Sequence, residues 1–183
     1  FYRKYRLKLI YLSFFLFFII NSKITNAQNI VVVNIQLLID NNNKYIEKIN
    51  ELEKSQKKYL EKFKLTEQEL NKKLSSIEKD KLILTENEIN LQIDDYNNEL
   101  SNFSTLIEEF NLHYQNQVIQ IRESVLNEII ILLEKFAIDN KLDLILDSTS
   151  YLIASNSIDI TEDINKQLKE INLNLEYEDF ENN

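Results

Sequence analysis

The chain has 183 residues and a formal net charge of −9, and 44% of its residues are hydrophobic. It contains no Gly and no Cys, which excludes glycine-rich phosphate loops, cysteine nucleophiles and disulfide bonds. Such an acidic chain also has no electrostatic attraction for nucleic acid.

Residues 1–27 have the layout of a secretory signal peptide. A basic start, Arg3 to Lys8, precedes an apolar run from Leu9 to Ile20, and a short polar stretch ends at Ala27. The run is shorter than the ~20 residues that a membrane span needs. We therefore predict cleavage after Ala27 and a soluble mature protein outside the cytoplasm. The alternative is a membrane anchor that stays attached.

Cleavage at that point makes the protein more acidic. Residues 1–27 hold five basic residues and no acid, so the mature chain would have a net charge of −14.

The run Ile30 to Gln36 is rich in β-branched residues and predicts a buried strand. Because Gly is absent, Asn is the residue expected where the backbone needs a positive φ, at 41–43 and at Asn140.

Residues 45–136 repeat an apolar residue every three or four positions, which is typical of a coiled coil. The polar residues Gln56 and Thr66 interrupt this apolar seam. A single helix of this length would extend about 140 Å. Two capping-box patterns, Ser75 with Glu78 and Thr85 with Glu88, are places where a helix can restart. We predict an antiparallel helical hairpin, an arm over residues 44–140 with its tip near 75–88.

The sequence pattern of the C-terminal third predicts further strands. Leu142, Leu144 and Leu146 alternate with other residues, which indicates a strand with these three on its buried face. Tyr151 to Ala154 is the expected hairpin partner, and a short helix carries Ile164 and Leu168. Residues 170–183 are predicted to be a frayed acidic tail.

The predicted fold class is therefore α+β and mostly α. Residues 28–43 and 141–169 would form a small three-stranded body at one end of the coiled-coil arm. So small a sheet has little core of its own, so we expect the bodies of several chains to associate.

The opening strand, the arms and the closing block carry a resemblance to a known family. The closing block is Leu142 to Asp147, then Tyr151, then Asp159 to Thr161. With the signal peptide, these features resemble the OmpH/Skp family of periplasmic chaperones along the whole chain. The resemblance implies a jellyfish-like homotrimer whose arms surround a cavity. The residues expected to join the bodies are Val31, Val33, Ile35, Leu142, Leu144 and Leu146.

The same resemblance implies an ATP-independent holdase that shelters unfolded outer-membrane proteins in the periplasm. Clients would contact apolar arm residues outside the seam, although each of these could instead widen the seam. They are Leu60, Leu65, Leu82, Leu84, Leu91, Leu106 and Leu112. The best-known family members are basic, whereas this chain is acidic, which argues against binding to lipopolysaccharide or membrane. Apolar contact would then carry more of the client affinity.

No residue pattern indicates catalysis, a cofactor or a metal site. His113 is the only histidine, so no second imidazole or thiolate exists to build a transition-metal site. We interpret it as a helical surface residue. Two other functions stay open. One is an envelope scaffold or spacer anchored by an uncleaved N-terminus. The other is a secreted enzyme, although no group of residues in the sequence supports catalysis.

Overall fold

The computed structural model describes residues 28–180, and this part of the chain is mostly helical. The predicted signal peptide and residues 181–183 lie outside the described residues. The elements in chain order are β1 (Ile30–Val33), α1 (Ile35–Asp40), α2 (Asn43–Asp80), α3 (Glu86–Asn140), β2 (Leu144–Asp147) and α4 (Thr161–Glu170), with 3₁₀ turns at Ser148–Ser150 and Asn156–Ile158. No helix among residues 28–180 is long and apolar enough to cross a membrane.

Helices α2 and α3 form the arm, a hairpin that turns at residues 81–85. Thr85 caps α3: its backbone N–H donates to Glu88 Oε2 at 2.9 Å and its hydroxyl donates to the same oxygen at 2.6 Å. These hydrogen bonds hold the pKa of Glu88 below its ordinary value. The other predicted capping box, Ser75 with Glu78, lies inside α2 and restarts no helix. Of the two patterns, only the second marks the reversal.

The two helices of the arm differ in length. Helix α2 has 38 residues and α3 has 55, which at ~1.5 Å per residue is about 57 and 83 Å. The extra length of α3 runs into the body. There Val125 and Ile129 pack with Leu38 and Ile39 of α1 and Ile164 of α4, all at most 1% exposed. The body core is therefore built from helices that cover one face of the sheet.

The sheet of the described residues has two strands, not the predicted three. Strand β1 pairs in parallel with β2, with Ile30 opposite Leu144 and Val33 opposite Asp147. Residues 151–154 form no strand. The carbonyl of Val32, which a third strand would use, instead accepts from the N–H of Ile160 at 2.9 Å.

The first strand is shorter than the predicted run Ile30 to Gln36, because a helix cap interrupts it. Asn34 Oδ1 accepts from the N–H of Leu37 at 2.9 Å, so Ile35 and Gln36 are already the first residues of α1. The N–H of Asn34 donates to Thr161 Oγ1 at 2.9 Å, which ties the start of α1 to the start of α4.

The positive φ angles expected at asparagines are not found there. Within the described part of the chain, Lys141 is the residue with a positive φ, at 51°. It terminates α3 in the left-handed conformation, and the N–H of Leu142 then donates to the carbonyl of Ala137 at 2.9 Å. That bond is typical of a helix C-terminus closed by a left-handed residue. Asn140 stays helical and its side chain donates to the carbonyl of Phe136.

Residues 171–180, which we call the C-terminal strap, are not frayed as predicted. They follow α4 without regular secondary structure and lie against the arm. Leu173, Leu175 and Phe180 are 8%, 7% and 6% exposed. The prediction of a frayed tail is wrong for this segment, because its apolar side chains find partners on α2 and α3.

Candidate functional site

The middle of the arm holds an aromatic cluster in which Phe110 of α3 is central and fully buried. The ring of Phe110 lies 4.8 Å from that of Phe63 and 4.7 Å from that of Tyr114, measured between centroids. Phe180 of the strap packs edge-on against Phe110 at 5.4 Å and against Tyr59 at 5.6 Å. Tilted and edge-to-face pairs at these separations add to the stability that burial alone gives. The strap thus completes the cluster.

Polar side chains of the arm bind the backbone of the strap. Gln117 Oε1 accepts from the N–H of Glu178 at 2.9 Å, and the imidazole Nε2 of His113 donates to the carbonyl of the same residue at 2.8 Å. The hydroxyl of Tyr59 donates to the carbonyl of Phe180. Gln117 is only 5% exposed, so its amide needs the partner that the strap supplies.

A chain of hydroxyls joins the two helices to the strap. The phenol of Tyr114 donates to Ser55 Oγ at 2.9 Å, and Ser55 donates to Asp179 Oδ1 at 2.5 Å. Burial raises the pKa of Tyr114 above its ordinary value, and the carboxylate of Asp179 acts in the same direction. Burial and Asp179 likewise raise the pKa of Tyr177. Both phenols therefore stay neutral near pH 7 and act as hydrogen-bonding and packing groups.

His113 lies on α3 beside the aromatic cluster, and its partial exposure agrees with the prediction. It is half-buried, with its ring 5.4 Å from that of Tyr114 and 5.5 Å from that of Phe180. Residues 28–180 contain no group of three or more His, Cys, Asp or Glu that could hold a metal ion. The arrangement around His113 is a binding surface for a peptide backbone.

Six of the seven predicted client-contact residues are exposed, and they are scattered along the arm. These six are Leu60, Leu65, Leu82, Leu84, Leu91 and Leu112. The strongest concentration is at the tip, where Leu82 is 89% exposed and the neighbouring Ile83, which the sequence reading omitted, is 80% exposed. Ile83 lies in the turn at residues 81–85 between Leu82 and Leu84, so the sequence offered the same signal for all three.

Leu106, the seventh, is half-buried and lines a cleft of about 770 Å³ between the two helices. Thr66, one of the polar interruptions of the seam, lines the same cleft. Lys73 crosses it to Asp95 Oδ2 at 2.6 Å and Glu99 Oε1 at 2.8 Å. These hydrogen bonds raise the pKa of Lys73. The hairpin is thus held by ion pairs where its apolar seam is thin.

The predicted contact residues of the body divide between its two faces. Val33 is buried, and Val31, Ile35 and Ile145 pack against the same core. Leu142 and Leu146 are half-buried. Leu144 was predicted on the buried face but is 45% exposed within the chain, because its parallel register places Ile145, not Leu144, beside Val31.

Two further apolar residues of the body are exposed. Leu152 and Ile153, in the segment predicted as a third strand, are 101% and 91% exposed. With Leu144 they are apolar side chains of the body that remain exposed within the chain. Both belong to a short apolar run, and the sequence alone does not distinguish such residues from residues of the core.

Comparisons with known proteins agree with this architecture. The family model described as outer membrane protein (OmpH-like) matches residues 29–168. The chain is similar to the crystal structure of a protein assigned as an OmpH-like outer membrane chaperone from Caulobacter crescentus CB15. That likeness has a TM-score of 0.60 and 11% sequence identity, and it covers 78% of this chain and 85% of the other. No curated protein sequence matches.

Proposed function

Because the chain belongs to the OmpH-like outer membrane protein family, a family of chaperones, we propose that it is an ATP-independent periplasmic holdase. Its clients are unfolded outer-membrane β-barrel proteins, which it keeps from aggregating on their way to the outer membrane. The observation that carries this proposal is a long helical hairpin with unpartnered apolar side chains along its length and at its tip.

The arm suits a weak and adaptable contact. Burying one exposed leucine contributes about 1.5–3 kcal/mol at most, so no single residue would hold a client. Several such contacts on one flexible chain add up through the high local concentration that the first contact creates. Because α2 and α3 have few contacts beyond each other between the strap and the tip, this part of the arm can bend to fit clients of different size.

The charge of the chain fits apolar rather than electrostatic capture. With the predicted signal removed the net charge is −14, and lipopolysaccharide and anionic lipid share that sign. Like charge opposes binding to such surfaces. It also keeps a loaded complex in solution, because particles of high net charge repel one another.

The working unit that we propose is a homotrimer joined through the bodies. A two-stranded sheet is marginal alone, and the outer edge of β2 offers backbone groups to a neighbouring chain. The exposed side chains of Leu144, Leu152 and Ile153 add apolar surface to the body. Three bodies joined there would leave three arms around a common cavity.

An aggregation assay tests the holdase function. A urea-denatured outer-membrane β-barrel protein is diluted into buffer with the mature chain, and light scattering follows its aggregation. We expect suppression by the wild-type chain and weaker suppression by a double variant, Leu82→Ser with Leu84→Ser. A matched control, Asn87→Ser with Asn90→Ser, changes exposed polar residues near the same turn and should act like wild type.

The assay has two contrary outcomes. Equal activity of the leucine double variant and wild type would remove the tip from the client surface. Aggregation that proceeds unchanged in the presence of the wild-type chain would contradict the holdase function and favour the anchored envelope scaffold.

A further inference from the structure

The C-terminal strap lies beyond residue 168, where the match to the family model ends. It packs along the arm, and its Leu173 and Leu175 join the same apolar core as residues of the body. Lys44 Nζ donates to Asn172 Oδ1 at 2.5 Å, and the ammonium of Lys48 lies 5.6 Å from the ring centre of Tyr177. With Phe180 in the aromatic cluster, both ends and the middle of the strap are held.

The strap has the side-chain pattern of a β-strand with one apolar face. Leu173, Leu175 and Tyr177 face the arm and are buried or half-buried, while Asn174 and Glu176 between them are exposed. The strands of a membrane β-barrel have the same alternation, with aromatic residues near their ends. The strap therefore has the chemistry of the clients proposed above.

The surface beneath the strap is suited to any chain of this pattern. Its apolar part is the side of Phe110, Tyr59 and Tyr114 that the strap covers, and its polar part is the amide of Gln117 and the imidazole of His113. The latter two bind the backbone N–H and C=O of one residue, Glu178. Backbone contacts of this kind do not depend on sequence, and recognition of extended peptides commonly combines them with apolar pockets for alternate side chains.

We propose that this surface is a binding groove for an extended polypeptide of alternating apolar and polar residues, and that the strap is its occupant when no client is present. A client segment of that pattern displaces residues 171–180. The proposal rests on the holdase function proposed above.

Tethering explains why the strap would occupy the groove at rest. A segment joined to its own site by a short linker experiences an effective concentration in the millimolar range. A single client segment therefore competes poorly, whereas a long unfolded chain that also contacts the exposed leucines of the arm competes well. The strap covers the aromatic cluster without a client and yields it to one.

Hydrogen exchange on the mature chain tests displacement directly. The exchange of residues 171–180 is measured alone and with a urea-diluted outer-membrane β-barrel protein, under conditions in which size exclusion verifies a complex. We expect the client to accelerate exchange in the strap at least about tenfold, since opening raises exchange in proportion to the open population. Exchange in residues 110–117 should stay slow, because helix α3 remains covered.

A peptide with the sequence of residues 171–183 tests the groove without any client. Phe180→Ala in the full chain should loosen the strap, so a fluorescently labelled peptide should bind this variant at least about tenfold more tightly than wild type. Asn174→Ala, which changes an exposed strap residue, is the matched control and should behave like wild type. A peptide with Ser at positions 173, 175 and 180 should not bind.

The possible results separate the two proposals. A verified client complex in which the strap keeps its slow exchange would overturn the displacement while the holdase function stands. Peptide binding to Phe180→Ala without any client complex would support the groove and contradict the holdase function. Absence of peptide binding together with an unmoved strap would overturn the groove.

Discussion

Replacing Phe110 with Ala should destabilise the arm more than any other single truncation in its middle. Phe110 is 0% exposed, and its ring lies within 5.9 Å of those of Tyr59, Phe63, Tyr114 and Phe180. Truncating a fully buried Phe costs about 3–5 kcal/mol, from lost burial and the cavity that remains. Because this ring joins α2, α3 and the strap, we expect the loss at the upper end of that range.

The assay is urea unfolding followed by far-ultraviolet circular dichroism, at one protein concentration because assembly links stability to concentration. Leu112→Ala is the matched control: it lies two residues along α3, is 54% exposed, and should change stability by less than about 0.5 kcal/mol. A loss below about 1 kcal/mol for Phe110→Ala would refute the claim that this ring is the centre of the arm.

Three further predictions concern the α3 cap, Leu144 and Tyr114. Thr85→Ala removes the hydroxyl of the α3 cap and should lower stability by about 1 kcal/mol in urea unfolding. Because the pKa of Glu88 is lowered in the folded chain, the stability that its carboxylate contributes is present above its ordinary pKa of 4.5 and is lost as pH falls through the folded value. If Glu88→Gln left the loss of stability at acid pH unchanged, this role of Glu88 in the cap would be contradicted. Leu144→Asp should leave helicity intact, because Leu144 is exposed within the chain. It should abolish the proposed trimer, as measured by light scattering. A stable trimer of this variant would show that Leu144 does not join the bodies. Because the pKa of Tyr114 is raised in the folded chain, its neutral form stabilises the fold below its ordinary pKa of 10.0, and this stability is lost as pH rises through the folded value. Tyr114→Phe should therefore reduce the loss of stability that urea unfolding shows at alkaline pH. An identical loss in the variant would mean that other groups cause it.

The helical hairpin could be predicted because its determinants are local and periodic. An apolar residue every three or four positions specifies a seam, and the pair Thr85 and Glu88 specifies a restart. Ser75 and Glu78 have the same pattern yet lie inside α2, where the buried Leu70 and Ile77 continue the seam. The choice between the two depends on packing along the whole arm, which no local pattern contains.

The strap could not be recognised because its partners are distant in the chain. Its alternation of Leu173, Leu175 and Tyr177 was visible, but alternating residues among Asn and Glu at a chain end are also typical of a disordered tail. The deciding contacts join distant residues, from 61 positions apart for Gln117 with Glu178 to 124 for Ser55 with Asp179. Only the folded arm shows that a surface exists to receive them.

The face of β2 was assigned wrongly for a related reason. Leu144 and Leu146 alternate, but Ile145 between them is apolar too, so the sequence does not identify the face that meets the core. The parallel register with β1 identifies this face by placing Ile145 beside Val31.

Most of the predicted client residues lie exposed where expected, and their contact with clients remains a prediction.

Size exclusion coupled to light scattering tests the central claim most directly. The mature chain, residues 28–183, is measured alone and after dilution of a urea-denatured outer-membrane β-barrel protein into it. We expect the mass of three copies for the free protein and a defined, soluble complex of greater mass with the client. A monomer or dimer from which the client precipitates would contradict it.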